Sequence, residues 1–263
     1  MTRKLILDLD TGIDDALAIA YALGSPEVEL IGVTATYGNV LMKDSVRNSL
    51  AVLDALGADS VPVYPGLPHS STAEDFAVLE ISAFIHGRNG LGEAETAPSG
   101  RSAATTGAVD FIIEASRRYG EELVYVPTGP LTNLAAALEK DPGLADRLKV
   151  VLMGGALSVS GNVSPWAEAN ISQDPDAADA VFRSGIDATM IGLDVTLQTL
   201  LTYEQTRRWR ELGTPAGVFL ADMTDYYIKA YETTAPGLGG CGLHDPLAVA
   251  VAVDPTLVTT LPI

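Results

Sequence analysis

The run Leu5-Ile6-Leu7-Asp8-Leu9-Asp10-Thr11-Gly12-Ile13-Asp14-Asp15-Ala16-Leu17-Ala18 decides how the rest of the chain is read. Residues 4–9 are a nearly continuous apolar run, as expected of a strand covered on both faces. Thr11-Gly12 is a turn signal, and Asp14 and Asp15 then open a helix. Asp8 and Asp10 are two apart on the strand and are expected to share a face. Strand, turn and helix in this order begin a parallel β-α-β unit. In open sheets of that kind ligands bind beyond the carboxyl ends of the strands, which is where these aspartates fall.

Along the rest of the chain, short apolar runs alternate with longer helical patterns. Strands are expected over residues 4–9, 30–36, 61–64, 123–126, 150–153 and 189–192. Helices are expected over 15–23, 43–56, 104–119, 131–140, 175–183, 203–212, 218–231 and 245–253. The alternation predicts an α/β fold: an open, mostly parallel central sheet with helices on both faces. No repeat or composition shift divides the 263 residues, so one domain over 1–263 is expected. Residues 66–101 are rich in Ser, Thr, Gly and acidic side chains around one apolar stretch, which marks a flap. Residues 257–261 read as a last strand at an unfinished edge.

The composition narrows the partners. Net charge is −18, from 34 acidic and 16 basic residues. A nucleic-acid binder needs basic patches to displace counterions, and none is visible. The same field disfavours phosphorylated substrates. Apolar residues make up 47% of the chain, enough for a large core. The apolar stretches fall short of the roughly 18 residues of a membrane span. Asp8 and Asp10 interrupt the only apolar run near the start, so no export signal is expected. The lone Cys241 allows no internal disulfide. A soluble, cytoplasmic protein with no nucleic-acid or membrane partner is the expectation.

Either Asp14 or Asp15 alone would be a conventional helix-start residue. Four carboxylates within eight residues are different, because their repulsion at a crowded strand end needs a cation or a proton to relieve it. With only oxygen donors, a hard ion such as Ca²⁺ or Mg²⁺ is favoured over Zn²⁺. One enzyme class with such an opening is the haloacid-dehalogenase-type phosphatases, Mg²⁺-dependent enzymes that would use Asp8 as nucleophile. Their Asp-x-Asp is followed by a fixed Thr or Val, where this chain has Gly12.

Further segments lie just after expected strands or at helix starts, on the same rim. They are Tyr37-Gly38-Asn39, Thr128-Gly129-Pro130-Leu131-Thr132-Asn133 and Met153-Gly154-Gly155. Gly161-Asn162 through Glu168-Ala169-Asn170 and His244-Asp245-Pro246 complete the set. Locally, Asn39 and Asn162 are also ordinary turn residues, and Met153 is also ordinary core. Asp245-Pro246 also reads as a helix start, and His86-Gly87 as a loop without a role. As an ordered set, running from Leu5 to about Val253, they resemble the inosine–uridine-preferring nucleoside hydrolase family.

That resemblance implies a Rossmann-like nucleoside hydrolase fold and a Ca²⁺ ion held by Asp10, Asp15, Asp245 and the carbonyl of Thr128. It implies hydrolysis of the N-glycosidic bond of ribonucleosides, with Asp10 deprotonating the metal-bound water and His244 a candidate acid for the leaving base. Asp14, Asn39 and Asn170 would bind the 2′- and 3′-hydroxyls, Asn162 and Glu168 the 5′-hydroxyl, with Met153 in the substrate pocket and His86 near the base. Tyr227 or Tyr231 would also face the base. A homodimer or homotetramer is implied, as are further C-terminal strands and a helix beyond this chain's end. The chain departs from the family in having Ala169 where Phe is usual, and Trp166 is the residue that would replace that surface. A catalytically silent nucleoside- or sugar-binding protein is the non-enzymatic alternative.

Overall fold

The computed structural model describes residues 2–263. Its central sheet has six parallel strands: β1 (Arg3–Leu9), β2 (Val28–Ala35), β3 (Val63–Pro65), β4 (Leu123–Pro127), β5 (Lys149–Met153) and β6 (Asp187–Ile191). Their spatial order is β3-β2-β1-β4-β5-β6, so the winding reverses at β1, which pairs with both β2 and β4. A crevice opens at such a reversal because the connections on its two sides leave in opposite directions. Two two-residue strands, β7 (Leu200–Leu201) and β8 (Cys241–Gly242), pair antiparallel outside the main sheet.

The helices are α1 (Ile13–Gly24), α2 (Met42–Ala55), α3 (Glu80–His86), α4 (Ala108–Tyr119), α5 (Thr132–Lys140) and α6 (Ala169–Gln173). After these come α7 (Pro175–Arg183), α8 (Leu193–Thr196), α9 (Tyr203–Glu211), α10 (Pro215–Thr234) and α11 (His244–Val253). Strand alternation divides the core into two layers. Leu5, Leu7 and Leu9 pack with apolar residues of α1, α2, α10 and α11. Ile6 and Tyr125 pack on the other face with Ile112, Leu134 and Val181 of α4, α5 and α7. Helix α11 is buried along nearly its whole length beside α1, which explains why its sequence is apolar all round. No helix among the described residues is long and apolar enough to cross a membrane.

The expected strands and helices of the sheet are present, and three readings change. Helix α4 starts at Ala108 rather than at 104, because Thr105, Thr106 and Gly107 precede it in non-helical backbone. Residues 257–261 form no strand: a short 3₁₀ turn at Pro255–Leu257 leads away, and Leu261 stands exposed. The expected flap, 66–101, is anchored at several points. Phe76 packs on Tyr37 with ring centroids 4.7 Å apart, and His86, Gly90 and Leu91 are buried.

Candidate active site

The carboxyl ends of β2, β1, β4 and β5 lie side by side and release Asn39, Asp10, Thr128 and Met153 in turn. Two helix starts point at the same place. Asp14 and Asp15 occupy the first turn of α1, and Asp245 that of α11. Carboxylate oxygens of Asp14, Asp15 and Asp245 all lie within 4.8 Å of one another, although the chain separates Asp15 from Asp245 by most of its length. The positive ends of two helix dipoles favour carboxylates there, by roughly 0.3–2 kcal/mol each. Repulsion outweighs that: two full charges 4.8 Å apart repel by about 3.5 kcal/mol at an effective dielectric of about 20.

The electrostatics reflect this conflict. Burial, with the neighbouring Asp14 carboxylate adding to it, lifts Asp15 to a pKa of about 6. Burial also lifts Asp14 to about 6. Asp10 and Asp245 are raised well above an ordinary aspartate by burial first and then by the other acids of the cluster. Among the described residues no Lys or Arg pairs with any of them. Oδ1 of Asp10 and Oδ1 of Asp14 are buried without a hydrogen-bond donor. Buried, mutually repelling carboxylates from two distant chain segments, two of their oxygens unpartnered, fit a divalent cation and little else.

The remaining carboxylate oxygens are aimed by fixed donors. Asp10 Oδ2 accepts from Asn39 N at 2.5 Å. Asp15 Oδ2 accepts from Gly12 N at 2.7 Å, and its Oδ1 from Thr128 Oγ1 at 2.8 Å. Asp14 Oδ2 accepts from the hydroxyl of Tyr227 at 3.2 Å. Asn170 Nδ2 donates to the Thr128 carbonyl at 2.7 Å and to the Met153 carbonyl at 3.1 Å. Glu168, raised by burial, caps α6 and accepts from Gly155 N at 2.9 Å and Asn170 N at 2.9 Å.

Both histidines border this cluster as neutral rings, each lowered to a pKa of about 4 by burial. His86 Nδ1 accepts from Ile13 N at 3.2 Å and lies 3.6 Å from Asp14 Oδ1. The approach requires Gly12, since a Cβ there would stand 2.5 Å from that nitrogen. His244 does not stand free: Nε2 is 2.7 Å from the Tyr231 hydroxyl and Nδ1 is 2.8 Å from Thr196 Oγ1. Rings of His86, Tyr227, Tyr231 and His244 follow one another at 5.2, 4.9 and 6.3 Å.

Several expectations are placed differently. Asp8 and Asp10 do not share surroundings, because β1 ends at Leu9 and Asp10 escapes its alternation. Asp8 points into the opposite layer, where Oδ1 accepts from Thr34 at 2.7 Å and Asn133 at 2.8 Å. Held there by Thr34 and Asn133, apart from the converging Asp14, Asp15 and Asp245, it is not placed as the nucleophile a phosphatase of this type would need. The tight oxygen trio contains Asp14, which the sequence suggested for sugar binding, in place of Asp10. Asn162 is the one exposed residue of the expected set, with Oδ1 accepting from Ala169 N at 2.9 Å. Trp166 is 91% exposed and so fills no pocket wall beside Ala169. Thr196 was not singled out in the sequence; a Thr inside a four-residue helix carries no signal of its histidine partner.

The sequence and fold have counterparts among known proteins. The profile of the inosine-uridine preferring nucleoside hydrolases matches residues 5–263. Uridine nucleosidase 1 of Arabidopsis thaliana is 39% identical over 261 residues, covering 98% of this chain and 76% of that protein. The inosine-uridine preferring nucleoside hydrolase of Leishmania major is 40% identical over 263 residues, covering 99% and 82%. The solved structure of a purine-preferring ribonucleoside hydrolase from Gardnerella vaginalis superimposes with a TM-score of 0.98 at 70% identity, covering 99% of this chain and 83% of that one. With its sheet order, its converging aspartates and these relatives in agreement, the chain belongs to the inosine-uridine preferring nucleoside hydrolase family, hydrolases acting on N-glycosyl bonds.

Proposed function

We propose that the protein is a Ca²⁺-dependent ribonucleoside hydrolase that releases ribose and a free base. The observation carrying this reading is the convergence of Asp14, Asp15 and Asp245, with unpartnered buried oxygens on Asp10 and Asp14. Asp10, Asp15, Asp245 and the Thr128 carbonyl would hold the ion, with Asp14 at its edge. A bound Ca²⁺ would acidify water and grip a vicinal diol in a shell of roughly 6–8 oxygens.

The residues divide the remaining work. Asp10 has one oxygen fixed by Asn39 N and one free of donors, so the free one is the acceptor for the proton of the attacking water. Asn170 spends its amide N–H groups on Thr128 and Met153, which leaves Oδ1 to accept from a sugar hydroxyl. Asn39, Asn162 and Glu168 complete the sugar contacts. Negative side chains around the ribose stabilise the positive charge that develops on the sugar as the bond breaks.

On the base side, Tyr231 is the proton donor and His244 the hydrogen-bond partner that orients it. If Thr196 donates to Nδ1, the ring carries its proton on Nε2 and donates to the Tyr231 oxygen. The tyrosine O–H is then free to protonate the departing base; the phenolate left behind is stabilised by the His244 N–H and takes its proton back from solvent, to which Asp10 releases the proton of the attacking water. The purine preference of the 70% identical Gardnerella vaginalis hydrolase favours purine ribonucleosides as substrates. A cytoplasmic homo-oligomer completes the proposal.

A panel of purine and pyrimidine ribonucleosides, assayed for reducing sugar with Ca²⁺ present, tests the reading. Release of ribose from inosine or guanosine supports it. Absence of turnover with any nucleoside counts against it, and binding without turnover in calorimetry would replace it by a silent binding protein.

A further inference from the structure

Asn48 lies in the middle of α2, only 2% exposed, and is not among the residues expected to touch substrate. Its amide nevertheless uses every bond it can make. Nδ2 donates to the carbonyl of Thr11 at 3.1 Å and to the carbonyl of Asn89 at 2.9 Å. Oδ1 accepts from Nε of Arg47 at 3.2 Å and Nη2 of Arg47 at 3.0 Å. Arg47 is itself fixed by Asp44 at 2.6 Å, and it also donates to the Asn89 carbonyl at 3.3 Å. The guanidinium can only donate and the two carbonyls can only accept, so the amide has one orientation.

Its two carbonyl partners belong to different parts of the site. Thr11 sits in the aspartate loop, between Asp10 and Gly12. Asn89 organises the turn that follows His86: Oδ1 accepts from Leu91 N at 2.8 Å and Glu93 N at 3.0 Å, and Nδ2 donates to Ala94 O at 3.1 Å. Gly92 N closes the turn onto the His86 carbonyl at 2.7 Å. The turn lies so close to α2 that Gly90 must lack a side chain: its φ is +82°, and a Cβ would stand 2.6 Å from Val40 Cγ1 and 2.7 Å from Asn48 Nδ2.

We propose that Asn48 is a positioning residue, a latch that joins residues 87–94 to the aspartate loop and thereby holds His86 beside Asp14. Without it, His86 keeps its single acceptor bond from Ile13 N and the turn keeps its internal bonds, but the amide that ties that turn to the Thr11 carbonyl is lost. The activity part of this inference rests on the nucleoside hydrolase reading; the structural part does not.

Two measurements on the Ca²⁺-loaded full chain test the latch. Hydrogen exchange of the amides of residues 90–93 is expected to quicken about tenfold in Asn48→Ala, the scale of losing one buried amide–carbonyl pair. The same substitution is expected to lower kcat/KM for a turned-over nucleoside about tenfold in the wild-type background, yet less than about twofold in a His86→Ala background. A side chain of purely structural value would show equal losses in both. Unchanged exchange in a folded Asn48→Ala, or equal losses, overturns the proposal. Should that variant fail to fold, Asn89→Ala dismantles the turn from the other side and is read in the same two ways. If the wild-type protein hydrolyses no nucleoside, the functional reading falls and the exchange arm alone decides the latch.

Discussion

Asn170 donates its side-chain amide to the carbonyl oxygen of Thr128 across 2.7 Å, while the hydroxyl of the same threonine donates to Asp15 at 2.8 Å. One residue past β4 therefore links the asparagine proposed to bind the sugar to an aspartate proposed to bind the metal. Replacing Asn170 by Ala leaves two buried carbonyls without their donor and removes the acceptor for a hydroxyl. A loss of about a hundredfold in kcat/KM is expected from unpaired groups of this kind. Asn170→Asp sets a carboxylate against two carbonyls and should in addition lower the unfolding free energy by about 1–3 kcal/mol. An Asn170→Asp protein with wild-type denaturation and kinetics would contradict this geometry.

The Tyr231–His244 contact predicts a substrate-dependent effect. Tyr231→Phe removes the hydroxyl 2.7 Å from Nε2 while keeping the ring in place. Nucleosides whose base must be protonated to leave should lose roughly 10²-fold in kcat, the usual value of a positioned acid. A nitrophenyl riboside, whose leaving group needs no proton, should be cleaved at close to the wild-type rate. Equal losses on both substrates would place the tyrosine in binding instead of proton transfer.

Asp8 and Asp10 should part company on mutation. Asp8 is buried against Thr34 and Asn133, and an Asn there keeps the acceptor oxygen, so Asp8→Asn should retain activity within about threefold. Asp10→Asn should lower kcat by about 10³-fold or more, since both the proton acceptor and a charge on the cation go. Steady-state assays of the two variants decide; an inactive Asp8→Asn beside an active Asp10→Asn would reverse the assignment and return the phosphatase mechanism.

Stability should depend on pH in a direction set by the cluster. Asp14 and Asp15 have a pKa of about 6 in the fold against 3.8 for an ordinary aspartate. A carboxyl with a higher pKa folded than unfolded holds its proton more tightly when folded. Stability is therefore complete below about pH 4 for these groups and is lost as pH rises through about 6. His86 and His244, lowered to about 4, act in the opposite sense, but Asp8, Asp10 and Asp245 are raised as well, and the five carboxyls outweigh the two rings. Chelator-treated protein should therefore melt higher at about pH 5 than at about pH 7.5, and Ca²⁺ should raise Tm most at the higher pH. Scanning fluorimetry with and without Ca²⁺ measures both; a Ca²⁺ shift that is equal at the two pH values would refute the repulsion argument.

Much of this architecture is legible in the sequence because it rests on local patterns. The apolar run of β1, the turn at Thr11-Gly12 and the helical spacing after Asp15 each obey short-range rules, and together they place Asp14 and Asp15 at a helix start on the binding rim. Acidic residues in such density announced a cation for the same reason: like charges cannot crowd without relief. The ordered later segments then marked Thr128, Asn170 and Asp245 as companions by resemblance.

Tertiary structure alone decided the partnerships. That Asp8 turns to Thr34 and Asn133 while Asp10 turns to the cluster depends on where β1 stops, one residue before Asp10. That His244 spends both nitrogens on Tyr231 and Thr196 depends on α8 and α10 meeting the start of α11. Asn48 looked like one more polar residue of α2 until the turn at Asn89 closed over it. Local sequence determines which backbone each segment adopts and where charge accumulates. Which side chains then face one another is set by the packing of segments far apart in the chain, and the hydrogen bonds that tune a catalytic group are made across those contacts.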